Sequence, residues 1–523
     1  MLLAEVVDTS LAVGATRSRT AKAEAVAALL RRAPADEVAP ATAWLSGELL
    51  QGRVGVGHRT LAGLRVPPAA EAGLEVADVD GTLSEVASAS GAGSSAHRTS
   101  LLRDLLTRAT ATEQRFLVDL VRGELRQGAL EGVVLDAVAR AADVPAAAVR
   151  RSFMLSGSLP DTARTALGDG QAGLEATALT LMRPVRPMLA SPGSSLDEAM
   201  SALSGSPAGV TVEHKLDGAR IQVHRDGDDV RVWTRTLREV TDGVPELVEH
   251  VRALPCTTAV LDGETLSLDD DGRPRAFQDT MSRFGSDGPA GAGPAGHADA
   301  AVVLSPFFFD LLHLDGRDLL DEPLAVRLNA LAGLLAADEH APLRMQGVRG
   351  ATADQAAQVL DDALTSGHEG VVVKDLAAPY AAGRRGRAWQ KVKPVHTLDL
   401  VVVGVERGSG RRSGTWSNIH LGARDPEGGE PVMVGKTFKG MTDELLAWQT
   451  ETLPRHARDG EDLDGYVIAL RPELVVEIAL DGAQRSSRYP GGVALRFARV
   501  LRYRPDKDAA EADTLDGVRA LLP

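Results

Sequence analysis

The sequence predicts a multidomain chain: an all-α domain first, an α+β domain of antiparallel sheets in the middle, and a small β-barrel at the end. Three observations lead to this. The length, 523 residues, exceeds what one hydrophobic core usually organises, so two to four domains are expected. Residues 1 to about 180 are rich in Ala and Leu at helical spacing. The texture then changes twice. The stretch LMRPVRP, with Pro184 and Pro187, marks a junction, and from Thr211 onward polar and apolar residues alternate in β-branched runs. After Lys393-Pro394, short strands joined by Gly-rich turns take over, which suits a barrel of roughly 130 residues. The expected boundaries are 1–181, 182–395 and 396–523.

In chain order, the Gly/Ser/Ala stretch at 87–100 reads as a loop. Thr110 and Glu113 are spaced as a capping box, and Phe116, Leu117, Leu120, Val121 and Leu125 follow on one helical face. Arg225-Asp226-Gly227-Asp228 separates two strands, and Asp269-Asp270-Asp271-Gly272 separates another two. Residues 286–300 form a low-complexity surface loop, and Ala351 to Leu364 reads as a helix before the strand Gly370 to Lys374. Leu398 to Val403 and Leu474 to Ile478 are strands of the barrel. No internal repeat has a solenoid period.

Composition removes several function classes. With 44% hydrophobic residues the chain is not mainly disordered, and Cys256 stands alone, so neither a disulfide framework nor a four-cysteine zinc module is possible. The N-terminus lacks a basic signal region, and no apolar stretch approaches the roughly 20 residues of a membrane span. The expectation is a cytoplasmic protein, nucleoid-associated if bacterial. A net charge of −15 argues mildly against non-specific nucleic-acid binding, but a whole-chain sum hides local patches. Of the 57 basic residues, 49 are Arg and only 8 are Lys.

That ratio directs attention to Lys215 in Glu213-His214-Lys215-Leu216-Asp217-Gly218-Ala219-Arg220. Lysine can lose its proton when cations and partial burial lower its pKa. Guanidinium stays charged and cannot attack an electrophile, so a nucleophilic site in an Arg-rich chain has to retain lysine. The bland alternative is an ordinary turn with a solvated lysine. Against it stands an ordered set of motifs: KLDGAR at 215–220, TRTLREVT at 234–241, LDGE at 261–264, FFFDLLHLDG at 307–316, EGVVVK at 369–374, WQKVK at 389–393 and RFARVLRYRPDK at 496–507. The set resembles the ATP-dependent DNA ligases of the covalent nucleotidyltransferase superfamily.

The resemblance implies a helical DNA-binding domain, a nucleotidyltransferase domain of ATP-grasp-like antiparallel sheets, and a C-terminal OB-fold. It implies ATP as co-substrate, Mg2+, and nicked double-stranded DNA as partner of a monomer. Lys215 matches the nucleophile that attacks the α-phosphorus. Glu213 matches the reader of the adenine edge, Phe309 the stacking aromatic, and Arg220, Arg235, Arg385 and Lys391 the nucleotide contacts. Lys393 joins the cations around the phosphates. Strand alternation leaves Phe308 or Phe309 facing the site, and Phe309, next to Asp310, is preferred. Arg384 and Arg387 are not separable in register from Arg385. Glu264 lies near the sugar by resemblance, and Glu264 and Glu369 suit Mg2+, which takes hard oxygen ligands. Arg499, Asp506 and Lys507 match the segment that orients pyrophosphate during lysine adenylation. Seven basic residues lie between Arg485 and Lys507. Gly123 to Leu130 resembles a DNA-contacting helix end, with Arg126 and Gly128 as its contacts.

Three rivals follow. An RNA ligase or RNA guanylyltransferase shares the Lys-x-Asp-Gly core, but a capping enzyme does not typically carry a large helical domain. An NAD-dependent ligase relies on a four-cysteine zinc finger, which one cysteine excludes. A nick-binding scaffold without catalysis would not need every reactive position filled.

Overall fold

A computed structural model describes residues 1–52, 54–125, 131–275, 277–285, 303–381, 385–409 and 412–522. The loop expected at 286–300, the contacts Arg126 and Gly128, and Arg384 lie outside the described residues. The chain divides into two units, Met1–Val359 with Val372–Lys391, and Leu360–Val371 with Val392–Pro523.

The first 175 residues of the first unit are helical, around a core that includes Leu3, Val26, Trp44, Val134 and Phe153. The capping box forms. Glu113 accepts the Thr110 N–H and hydroxyl, both at 2.8 Å, while the Thr110 hydroxyl accepts the Glu113 N–H at 3.4 Å. The helix Ala111–Arg122 buries Phe116, Leu117 and Leu120 and ends at Gly123, whose φ of +67° is cheap only for glycine. Leu125 lies past that end. The loop expected at 87–100 is a correction: helices Val76–Ser88 and Ser94–Arg108 leave only residues 89–93 between them. Small residues disguise the second helix, but Leu102, Leu105 and Leu106 anchor it, and Arg98 closes the end of the first by donating to the carbonyls of Val86 and Ala89.

Beyond the prolines come two five-stranded sheets. One is built from β1 (Leu189–Pro192), β2 (Val210–Lys215), β8 (Gly347–Arg349), β9 (Gly370–Asp375) and β10 (Arg385–Val392), in the order β1-β10-β9-β2-β8. The other contains β3 (Ala219–Asp226), β4 (Asp229–Thr234), β5 (Thr258–Ser267), β6 (Leu304–Leu314) and β7 (Arg317–Asp318), in the order β4-β3-β5-β6-β7. The turn at Gly227 joins β3 to β4 as the sequence predicts. The turn at 269–272 does not separate two strands: it closes on the isolated bridge between Leu268 and Pro274, and the chain enters helix Phe277–Gly285. Leu304, Phe308 and Leu311 of β6 pack on the helix Leu324–Leu334, and through it runs a fully buried ion pair. Arg327 Nε and Nη2 donate to Asp310 at 2.7 and 3.0 Å.

The expected helix near 351–364 spans Ala353–Thr365. In the second unit, β11 (His396–Arg407) pairs with β12 (Trp416–Ala423), β14 (Val467–Ala469) and β15 (Val475–Leu480). β13 (Val432–Thr437) extends the sheet beyond β12, and β18 (Arg499–Tyr503) extends it beyond β15. β16 (Gly482–Arg485) and β17 (Val493–Arg496) form a separate ribbon. Val402, Ile419, Val476 and Ile478 fill the core of this strand-rich unit. Among the described residues no helix is long and apolar enough to cross a membrane.

Candidate active site

Lys215 is the last residue of β2, and β3 begins at Ala219, so the nucleophile candidate stands where β2 enters a three-residue connection, 216–218, between the two sheets. The connection is tight for a local reason. A Cβ on Gly218 would collide with the carbonyl oxygen of Thr265 on β5, so the Gly of the Lys-x-Asp-Gly string lets this loop lie on the strand that carries Asp262 and Glu264.

Lys215 opens into a cavity of about 490 Å³ in the first unit. Glu213, Arg220, Arg235, Glu264, Phe309 and Lys391, all expected at the site, also line it. Phe309 faces the cavity while Phe308, its neighbour in β6, is in the core, as strand alternation requires. Arg385 lies in β10 opposite Leu189 of β1, and nothing further is described of its side chain.

Two networks support the walls. In the first, Arg220 lies opposite Glu264 in the β3–β5 register and reaches diagonally to Asp262. Its Nε and Nη2 donate to the two carboxylate oxygens at 3.0 and 2.6 Å, and its Nη1 donates to the Met188 carbonyl at 2.6 Å. The Tyr380 hydroxyl donates to Asp262 at 2.6 Å and accepts the Met188 N–H at 3.0 Å. Burial, reinforced by Asp262, pushes that hydroxyl well above the usual phenol range, so it remains a donor.

The second network joins adjacent strands of the other sheet. Lys374 of β9 donates to Glu213 of β2 at 2.5 Å, and both residues are buried. The Lys374 ammonium also lies 4.4 Å from the ring centroid of Phe309 and 4.5 Å from that of Trp389. Burial drives Glu213 toward its neutral form, and Lys374 opposes this.

The remaining expected residues belong to the second unit. Lys393 pairs with Asp481 and lies 3.9 Å from Glu369, which is 3.8 Å from Arg496. Asp399 accepts from Arg504 at 2.8 Å and Lys507 at 2.7 Å. Arg504 also holds Asp506, whose carboxyl is kept down at about 2. Arg499 opens β18, beside Ala479 of β15.

The donor set fits a phosphate-bound divalent cation better than a resident metal. Among the described residues no group of three His, Cys, Asp or Glu could hold one, and of the two carboxylates on the cavity, Glu213 accepts from Lys374 and Glu264 lies opposite Arg220. A hard cation held here would draw its remaining oxygens from phosphates and water.

Sequence reasoning missed Lys374, Asp262, Tyr380 and Trp389. The scarcity of lysine was a signal for Lys374, which ends the EGVVVK motif at 369–374. Asp262 lies within the LDGE string, where Glu264 drew the assignment. Nothing local marks Tyr380, whose partners are 118 to 192 residues away.

Models of three families, described as DNA ligase N terminus, ATP dependent DNA ligase domain and ATP dependent DNA ligase C terminal region, match residues 62–139, 187–393 and 412–507. A curated relative from Rhodococcus jostii (strain RHA1), named "Probable DNA ligase", is 60% identical over 523 residues, covering all of both chains. One of the same name from Mycobacterium marinum (strain ATCC BAA-535 / M) is 54% identical over 529 residues, again covering all of both. The solved structure "Pmar-Lig_PreS3" is similar in fold, with a TM-score of 0.59 at 16% identity over 95% of this chain and 99% of that one.

Proposed function

The chain belongs to the ATP-dependent DNA ligases, and from that premise we propose how its residues divide the work of sealing a nick in duplex DNA. The amine of Lys215 attacks the α-phosphorus of ATP; a P–N bond forms, the bond to the β-phosphate breaks, and pyrophosphate leaves. A 5′-phosphate oxygen at the nick then takes the AMP and frees the lysine. Finally the 3′-hydroxyl attacks the 5′-phosphorus, forming the phosphodiester as AMP departs.

The observation that carries this reading is Lys215 itself, at the end of β2 on a cavity whose lining includes two carboxylates, Glu213 and Glu264, the Phe309 ring and the cations Arg220, Arg235, Arg238, Lys374 and Lys391. Phe309 stacks on the base, Glu213 accepts from its exocyclic amine, and the cations take the phosphates. Arg385 and Lys393 complete the cationic set in this reading. Glu264 and Glu369 would be the carboxylates that hold Mg2+ in this reading, and the ion would neutralise charge developing on the phosphates. Arg499, Asp506 and Lys507 act on pyrophosphate in the first step only. Arg126 and Gly128 contact DNA.

We assign DNA binding to a helical domain at 1–181, adenylation to 182–395 and an OB-fold to 396–523, in a monomer acting on nicked duplex in the cytoplasm. The deciding experiment is incubation with α-labelled ATP and magnesium. Label that is stable to alkali and released by acid, as a P–N bond requires, appears on the protein and is abolished by Lys215→Arg. Absence of label, or label that survives the substitution, overturns the mechanism. GTP or NAD in place of ATP separates the guanylyltransferase and NAD-dependent alternatives.

A further inference from the structure

The buried cation beside Glu213 has no part in the chemistry just described, yet the chain keeps a lysine there while using arginine for 49 of its 57 basic residues. Its surroundings are specific. Lys374 and Glu213 sit on neighbouring strands of one sheet, 2% and 5% exposed. The ammonium is bracketed by the Phe309 and Trp389 rings at 4.4 and 4.5 Å and donates to Glu213 Oε2 at 2.5 Å. Both residues line the nucleotide cavity.

We infer that Lys374 sets the base specificity of the nucleotidyl transfer by fixing Glu213, through this ion pair, as an acceptor-only carboxylate that takes a 6-amino purine and refuses a 6-oxo purine. The inference rests on the reading of Glu213 as the group that meets the base edge. An ionised carboxylate offers only lone pairs, which suit the 6-amino group of adenine and repel the carbonyl oxygen of guanine. A protonated carboxyl acquires one O–H donor, which guanine O6 accepts. Burial and Asp310 push Glu213 toward the protonated form, whereas Lys374 and, more distantly, Arg349 push it back. Removing the ammonium therefore hands Glu213 the donor that guanine needs. Lys374 acts in this inference through Glu213, to which it donates, so it is a positioning residue.

The test is the ratio of kcat/KM for lysine nucleotidylation with ATP and with GTP, measured on the full chain. Lys374→Met removes the charge with little change in length, and Lys374→Gln serves where the Met variant does not fold. Lys374→Arg keeps the charge. The ATP/GTP ratio is expected to fall by about tenfold or more in the neutral variant, since a mismatched buried polar contact costs at least one to two factors of ten. In Lys374→Arg it is expected to stay near that of the unsubstituted chain. An unchanged ratio in the neutral variant overturns the inference, and so does an equal fall in both variants, which would make the effect one of shape. Glu213→Gln is the separate check on the underlying reading. Gln presents a donor and should itself shift the ratio toward GTP; if it does not, Glu213 does not read the base, a result distinct from a failure at Lys374 alone.

Discussion

Arg220 has few directions left to choose. Asp262 takes two of its N–H groups in a fork and Met188 a third, so the guanidinium stands 5.4 Å from the Phe309 ring in a fixed plane. Planarity and fixed donors make an arginine useful against a phosphate only when its orientation is set beforehand. Asp262→Asn replaces one acceptor with an amide that points hydrogens at hydrogens. A charge-assisted bond lost at about 1.5–3 kcal/mol corresponds to a fall of roughly ten- to a hundredfold in the adenylation rate. Labelled-ATP kinetics would measure it, with Tyr380→Phe losing less because the carboxylate fork remains.

Elements divide by how local their causes are. The helix at Ala111 was legible because its start, stop and buried face lie within fourteen residues, and the cap predicts that Thr110→Ala costs about 1 kcal/mol of stability in chemical denaturation. The strand identities of β2, β3 and β4 were legible from alternation and the Gly227 turn. The helix at Ser94 was not, because its first turns are written in the small residues that also make loops. The order of the sheets was hidden for a different reason: β2 lies between β8 and β9, both more than 130 residues later in the chain. The Asp310–Arg327 pair and the Glu213–Lys374 pair exist only once such pairings form. Asp310→Asn strands a fully buried guanidinium and should cost about 3–5 kcal/mol, visible as a lowered unfolding midpoint. The junction after the prolines is docked in the same non-local way. His224 Nδ1 accepts the Met182 N–H at 3.1 Å, Nε2 faces Gln222 Oε1 at 2.9 Å, and that oxygen also accepts the Val185 N–H. Burial pushes His224 down to about 3. The unfolded imidazole titrates near 6.5, so the stability of the neutral form is complete above that pH and is lost progressively as pH falls toward 3. The protection factors of the Met182 and Val185 amides, taken against the intrinsic exchange rate at each pH, should fall over that interval, and His224→Gln should flatten the dependence.

At the scale of the molecule, a net charge of −15 coexists with a basic run whose members are not equivalent. Arg502 pairs with Glu477 at 2.7 Å, and Arg504 and Lys507 share Asp399. Arg485 and Arg488 are exposed and, among the described residues, have no carboxylate partner. Binding to nicked duplex should therefore weaken steeply with salt. Arg485→Ala or Arg488→Ala should each lower the slope of log K against log salt by about 1, with Arg502→Ala contributing less. Titrations at several ionic strengths would separate them. The wall of the cavity beside Lys215 also carries one of the five tryptophans in the chain. Trp389 meets Phe309 edge-on at 5.9 Å and Tyr380 at 6.1 Å, with a lysine ammonium over its face. In the proposed reading a purine arriving against Phe309 changes the polarity and the electron-accepting partners around that indole, which makes Trp389 a built-in fluorophore. Its emission, recorded against a Trp389→Phe background, should follow nucleotide entry and pyrophosphate release in real time without any label.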